Sequence, residues 1–110
     1  SVINIADTIQ VGISTAGRSP LIGKSIRKKI EPIIKSSIDD LIVHQIKLQE
    51  SFRLKAKTTI PSIEYRKQFL VNLFNDVKIN KCLEEKKILE AKELASDKLD
   101  AFVKSNSSKW

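Results

Sequence analysis

Cysteine, histidine, glycine and proline are all scarce in this 110-residue chain, and each scarcity removes a class of function. The single cysteine, Cys82, cannot close an internal disulfide. Together with the single histidine, His44, it cannot build a zinc site within one chain. Neither residue stands in a recognisable nucleophile motif, so no Cys-His or Ser-His-Asp centre is expected. Unpaired cysteine usage makes a reducing, cytoplasmic setting the expectation. No apolar run approaches the ~18 residues needed to cross a bilayer, and Leu41-Ile42-Val43 is typical of the longest present. No basic start followed by an apolar stretch marks a signal peptide, so no membrane partner is expected. The chain opens with Ser1 rather than Met, which points to a processed product or an excised piece of a longer protein. Its length suits one ordinary domain and is too short for a complete dinucleotide-binding fold with a second domain.

What is present is helical in character. Hydrophobic residues make up 41% and charged residues 30%, which excludes collagen-like, mucin-like and disordered chains. Leu, Ile, Lys and Glu are abundant, and all but Ile are strong helix formers. The net charge is +7, unevenly spread. Residues 1–60 hold 10 basic and 5 acidic side chains, whereas residues 61–110 hold 10 and 8. The first half is therefore the better candidate for an anionic partner: nucleic acid, anionic lipid, or a phosphate or polycarboxylate ligand.

Two stretches, 2–6 and 9–13, alternate apolar and other residues and are rich in β-branched side chains. They read as short strands joined by a turn at Asp7-Thr8. A two-stranded hairpin is marginal alone in water, so these strands should pair with a further segment or a second copy. Ser19 is a good N-cap and Pro20 falls at the first helical position, where its missing N–H costs nothing. Ile22, Ile26, Ile30 and Ile33 follow at helical spacing, but Pro32 should kink or end that helix near Glu31. Ser36 or Ser37 can cap the next helix, whose apolar stripe runs Ile38, Leu41/Ile42, Gln45, Leu48, Phe52. Thr58–Pro61 is a connector, and Ser62 caps a third helix with Glu64 in its first turn. Tyr65, Phe69 and Leu73 form one ladder there, beside Leu70 and Phe74, and read as core rather than as a platform for stacking bases. After Asn75-Asp76 a short helix carries Val77, Ile79, Cys82 and Leu83, and a last long helix carries Leu89 through Val103. The polar tail from Ser105 should fray, and Trp110 at its end should be mobile. The expected fold is mainly α: two N-terminal strands, then a bundle of four to five helices, over 20–31, 37–56, 62–75 and 86–104 with the short one between. The expected division is 1–35 (strands, turn and first helix) and 36–110 (helical domain).

The informative segment is Val11-Gly12-Ile13-Ser14-Thr15-Ala16-Gly17-Arg18-Ser19-Pro20. It reads as strand, tight turn, helix start. Free backbone N–H groups at a helix start attract anions, and Gly17 lets the backbone bend and approach a ligand. Hydroxyls of Ser14, Thr15 and Ser19 add donors, and Arg18 adds a bidentate grip on carboxylate or phosphate. The alternative is a well-capped connection with no ligand. It is not a P-loop. Gly23-Lys24-Ser25 supplies the end of that pattern, but Arg18 stands where the opening glycine is required.

This segment, followed by Arg27-Lys28-Lys29-Ile30-Glu31, resembles the central motif of the siroheme synthase group. These are precorrin-2 dehydrogenases, some of which double as sirohydrochlorin ferrochelatases. Their pattern is a strand, Ser-(Ser/Thr)-x-Gly-x-Ser-Pro, and a helix carrying an Arg-x-x-(Leu/Ile)-Glu-like stretch. Arg66-Lys67-Gln68-Phe69-Leu70-Val71-Asn72-Leu73-Phe74 resembles the basic-aromatic helix that follows. The resemblance covers roughly residues 1–100. Two features depart from it: Pro32 falls where members continue the helix, and Ala16 stands where glycine is common.

The resemblance implies an NAD-binding domain that this chain lacks, a dimerisation region, and a C-terminal helical domain. It implies a homodimer of an NAD-dependent oxidoreductase of siroheme biosynthesis, with a tetrapyrrole substrate and, in bifunctional members, iron as a second substrate. The Gly-rich NAD fingerprint and the family's upstream aspartate are absent, so no catalytic, cofactor-binding or metal-binding residue carries over. Ser14, Thr15, Gly17, Arg18 and Ser19 carry over as residues lining the substrate cleft. This chain alone is expected to be inactive.

The remaining polar features have plainer readings. Lys24, Arg27, Lys28 and Lys29 form a basic run that is either a solvated helix face or a contact to substrate carboxylates, and Arg66 and Lys67 pose the same choice. His44 reads as a packed residue and Cys82 as a small core residue. The rival class is a small basic nucleic-acid-binding module. It is disfavoured because Pro32 shortens the first helix and its polar side lacks base-reading variety.

Overall fold

A computed structural model describes residues 1–110 as two compact units, 1–39 and 40–110. The first begins with an antiparallel hairpin, β1 (Val2–Ile5) and β2 (Ile9–Gly12), in the register Val2↔Gly12 to Ile5↔Ile9. The turn lies one residue earlier than Asp7-Thr8. Ala6 and Asp7 both take positive φ, and the Thr8 N–H closes it by donating to the Ile5 carbonyl at 3.0 Å. Ile3 and Ile5 are buried, and β1 packs on α1 (Pro20–Ser37), whose Gly23 is buried. The sheet has two strands and no more.

α1 begins as its sequence indicates, with Ser19 as N-cap and Pro20 in the first turn. It does not stop near Glu31. The helix continues through Pro32 to Ser37. Pro32 and Lys28 are both exposed, so the hydrogen bond lost at Pro32 lies on a solvated stretch of the helix rather than in the core, where its loss would cost more. Consequently Ser36 and Ser37 do not cap the next helix. Both hydroxyls donate back to the Ile33 carbonyl at 2.8 Å.

The second unit contains four helices: α2 (Asp40–Thr59), α3 (Ile63–Phe74), α4 (Val77–Glu84) and α5 (Ile88–Asn106), with a single 3₁₀ turn over Ser107–Lys109. Leu48, Phe52 and Ala56 of α2, Phe69 and Leu73 of α3, Ile79 and Leu83 of α4, and Ala91, Ala95 and Leu99 of α5 form one buried core with Ile60. The alanine pair of α5 stands one turn apart and lets that helix approach α4 closely. Ser62 caps α3 by accepting from the Tyr65 N–H. The C-terminus does not fray at Ser105. Trp110 sets its ring edge-on to Tyr65 (centroids 5.2 Å) and stacks on Phe102 (6.4 Å), half-buried against the core. Of the aromatic ladder, Phe69 is core, Tyr65 is half-buried and Phe74 is 60% exposed. His44 and Cys82 are both half-buried, and Cys82 packs against the core.

Polar groups close the helix ends. Gln45 is 4% exposed within the apolar stripe of α2. Its amide donates to Asn80 Oδ1 at 2.8 Å and to the Leu73 carbonyl at 3.4 Å, and its carbonyl accepts from Gln49 at 3.1 Å. Gln49 reaches the Leu70 carbonyl and Asn80 the Phe74 carbonyl, each at 2.9 Å. Three side chains thus bond carbonyls in the last turns of α3, and that of Phe74 is one an isolated helix leaves without a partner. Asp76 caps α4 by accepting from the Ile79 N–H at 2.8 Å and pairs with Lys98 of α5. Burial pushes the Asp76 carboxyl up, but Lys98 and the Ile79 N–H outweigh it and hold the group below the usual carboxylate range. α4 ends in a Schellman motif: Lys87 N–H to Cys82 O, Lys86 N–H to Leu83 O, with Lys86 at φ +60°.

Candidate functional site

The loop between β2 and α1 is a tight, internally bonded bend. Ala16 (φ +56°) and Gly17 (φ +75°) are consecutive left-handed residues, and the Arg18 N–H donates to the Thr15 carbonyl at 3.2 Å. Positive φ at both central positions is the signature of a type I′ turn. The departure at Ala16 therefore has a physical meaning, since glycine would hold this conformation without the Cβ penalty.

The hydroxyl oxygens face the loop's own backbone. Thr15 Oγ1 donates to the Ser19 carbonyl and accepts from the Ser19 N–H, both at 3.0 Å. Ser14 Oγ accepts from the Ala16 N–H at 3.0 Å, and Ser19 Oγ accepts from the Ile22 N–H at 3.3 Å. At the start of α1, Pro20 has no N–H, Ile22 is capped by Ser19, and Gly23 donates to the Ser19 carbonyl. Leu21 retains the one uncommitted first-turn donor. The anion-attracting capacity at this bend accordingly rests more on cationic side chains than on free backbone donors.

Ser14, Thr15 and Gly17 line a hollow of about 220 Å³ together with Lys24 of the first helical turns. Arg18 and Ser19 do not line it. Arg18 is exposed beside the bend and forms no ion pair, whereas Ser19 is half-buried as the cap. Lys28 and Lys29 are exposed, and Arg27 is half-buried with its Nε paired to no protein acceptor. Lys24 was legible in the basic run, and its place one turn after the Ser19 cap brings it to the hollow. No group of His, Cys, Asp and Glu residues here could hold a metal ion, and no helix is long and apolar enough to cross a membrane.

In the second unit, Arg66 and Lys67 line a larger groove between α2 and α3, of about 520 Å³, opposite Arg53 and Lys57. Sequence reading singled out the α3 pair and missed the α2 pair. The signal available was the one-turn spacing of Arg53 and Lys57, which places them on one helix face.

No family model matches the chain, and no solved structure matches it. Among curated proteins it is similar to the siroheme synthase of Thioalkalivibrio sulfidiphilus (strain HL-EbGR7), 39% identical over 61 residues. That stretch is 56% of this chain and 12% of the relative, so the likeness to a siroheme synthase is real but partial.

Proposed function

We propose that this chain supplies the dimerisation strands and helical region of a siroheme-synthase-type enzyme of siroheme biosynthesis, and that its β2–α1 bend forms part of the cleft for precorrin-2 or sirohydrochlorin. The observation that carries this is the bend itself: a type I′ turn with Arg18 exposed beside it and Lys24 at its hollow. The similarity to a siroheme synthase supports the same reading.

The chemistry is consistent. These tetrapyrroles carry acetate and propionate groups around the ring. A site for them needs cations and a backbone that can approach closely, both present at the bend. The two-stranded sheet supports the dimer, because each strand keeps one edge unpaired. The residues do not fit a dinucleotide. The three glycines, Gly12, Gly17 and Gly23, make no Gly-x-Gly-x-x-Gly turn, so no hydride-transfer step is assigned to this chain. Its residues bind and position; the oxidation of precorrin-2 belongs to a dinucleotide-binding domain outside it. Iron, in a bifunctional enzyme, is a substrate of the same cleft.

The test follows NADH formation with precorrin-2 and NAD. The chain alone is expected to give none, and the chain joined to a siroheme-synthase dinucleotide-binding domain is expected to oxidise precorrin-2. Turnover by the 110 residues alone would overturn the division of labour. A joined protein that neither oxidises precorrin-2 nor binds sirohydrochlorin would overturn the reading itself.

A further inference from the structure

The groove between α2 and α3 shares no residue with the β2–α1 bend. Ile60–Ser62 joins the two helices, so the C-terminal half of α2 lies against the N-terminal half of α3. Arg53 and Lys57 line one wall near that junction and Arg66 and Lys67 the other; no acidic residue lines the groove itself, and Glu50 lines the adjoining hollow on the far side of Arg53 and Lys57. Away from the junction the lining turns apolar, through Leu70 and Val71 to Phe74. Phe74 and Gln49 also line a second hollow of about 400 Å³, whose wall continues with Leu41, Ile42 and Ile46. One trough therefore runs from a cationic end to an apolar end.

Two features of this trough bear on what it could hold. Its apolar residues are open to water: Ile63 is 75% exposed and Phe74 60%. Arg66, meanwhile, is held by a 3.3 Å bond from its guanidinium to the Pro61 carbonyl, with a buried Nε that meets no protein acceptor. An incompletely paired guanidinium beside three further cations calls for an anion, and the adjoining apolar wall calls for an apolar body.

We infer that the α2–α3 trough is a binding site for a small amphiphilic polyanion: a rigid apolar molecule carrying at least two carboxylate-like groups at one end. The anionic end sits among Arg53, Lys57, Arg66 and Lys67. The body lies over Leu70, Val71 and Phe74. A single anionic group would leave most of the positive charge uncompensated, which is why two or more are required. The volume lies within the range of small-molecule sites.

The test titrates the full chain, ¹⁵N-labelled, with bis-ANS (dianilino-binaphthyl disulfonate, a rigid apolar dianion) and with neutral N-phenylnaphthylamine. Amide shifts from bis-ANS are expected on residues 53–57 and 66–74. Arg53→Glu and Lys67→Glu, both at exposed positions, are each expected to weaken bis-ANS by about tenfold, the scale of one lost charge-assisted contact. The neutral dye should be unmoved by either variant. Lys104→Glu, at an exposed position of α5 that lines none of these hollows, should leave bis-ANS affinity unchanged, which separates a specific contact from a general loss of positive charge. Equal bis-ANS affinity in all variants, or shifts confined to α1, would overturn the inference. Unaltered far-UV circular dichroism checks that the variants fold.

Discussion

Replacing Gln45 with alanine tests how the second unit closes the end of α3. Gln45 sits among buried apolar residues and is the one buried polar side chain of the chain. Truncation removes its donation to Asn80 Oδ1 (2.8 Å) and its weaker donation to the Leu73 carbonyl (3.4 Å), and it removes the acceptor for Gln49. Gln49 keeps the Leu70 carbonyl and Asn80 keeps the Phe74 carbonyl, so the network is weakened rather than abolished. One good hydrogen bond contributes about 1 kcal/mol, and the orphaned, partly buried Asn80 oxygen adds about 1–2 kcal/mol. The expected loss is roughly 2–3 kcal/mol, a fall in Tm of about 10 °C or more for a unit of this size. Gln45→Leu restores volume but not the donor, so it should fall between wild type and Gln45→Ala. Thermal and urea denaturation followed at 222 nm measure both. A Gln45→Ala variant within about 0.5 kcal/mol of wild type would refute the reasoning, since surface-like substitutions have that scale.

Three further outcomes follow from other helix ends and the C-terminus. Asp76 is held below its ordinary carboxylate range, so the stability it contributes is complete above the unfolded value of ~3.9 and is lost as pH falls through the folded value. Asp76→Asn keeps a good cap and loses the Lys98 pair, so it should cost about 1 kcal/mol at pH 7, with the gap narrowing as pH falls through the folded value; a gap that does not narrow in acid contradicts this. Lys86→Gly should raise stability by about 0.5–1 kcal/mol in urea denaturation, because the left-handed position carries a Cβ penalty. Deleting Trp110 should cost about 1–2 kcal/mol in thermal denaturation through lost contact with Tyr65 and Phe102. The emission of this single tryptophan should be blue-shifted in the native chain and shift red on unfolding.

Much of the fold was legible because local chemistry and tertiary packing agree. Alternation announced the hairpin, Ser19-Pro20 and Ser62 announced two helix starts, and apolar spacing announced all five helices. Pro32 misled because one missing N–H does not by itself end a helix: it lies inside α1 at an exposed position, and the helix runs on to Ser37. Ser36 and Ser37 misled because a serine can bond backward to Ile33 as readily as forward to a new helix. Trp110 and Gln45 needed long-range partners, the aromatic pair Tyr65 and Phe102 and the end of α3, which no local pattern reveals. At the bend, Gly17 and Ser19 could be read as a turn and a cap. That Thr15 would lock onto Ser19, leaving Arg18 and Lys24 as the exposed cations of the bend, depends on the turn geometry and was not legible.

The measurement closest to the central claim is an absorbance titration of sirohydrochlorin with the chain joined to a siroheme-synthase dinucleotide-binding domain and with the Arg18→Ala variant of that joined protein. A saturable spectral change, weakened by added salt and by the loss of Arg18, is the predicted result. No spectral change at any concentration, or an affinity indifferent to Arg18, would contradict the assignment of this bend to a tetrapyrrole cleft.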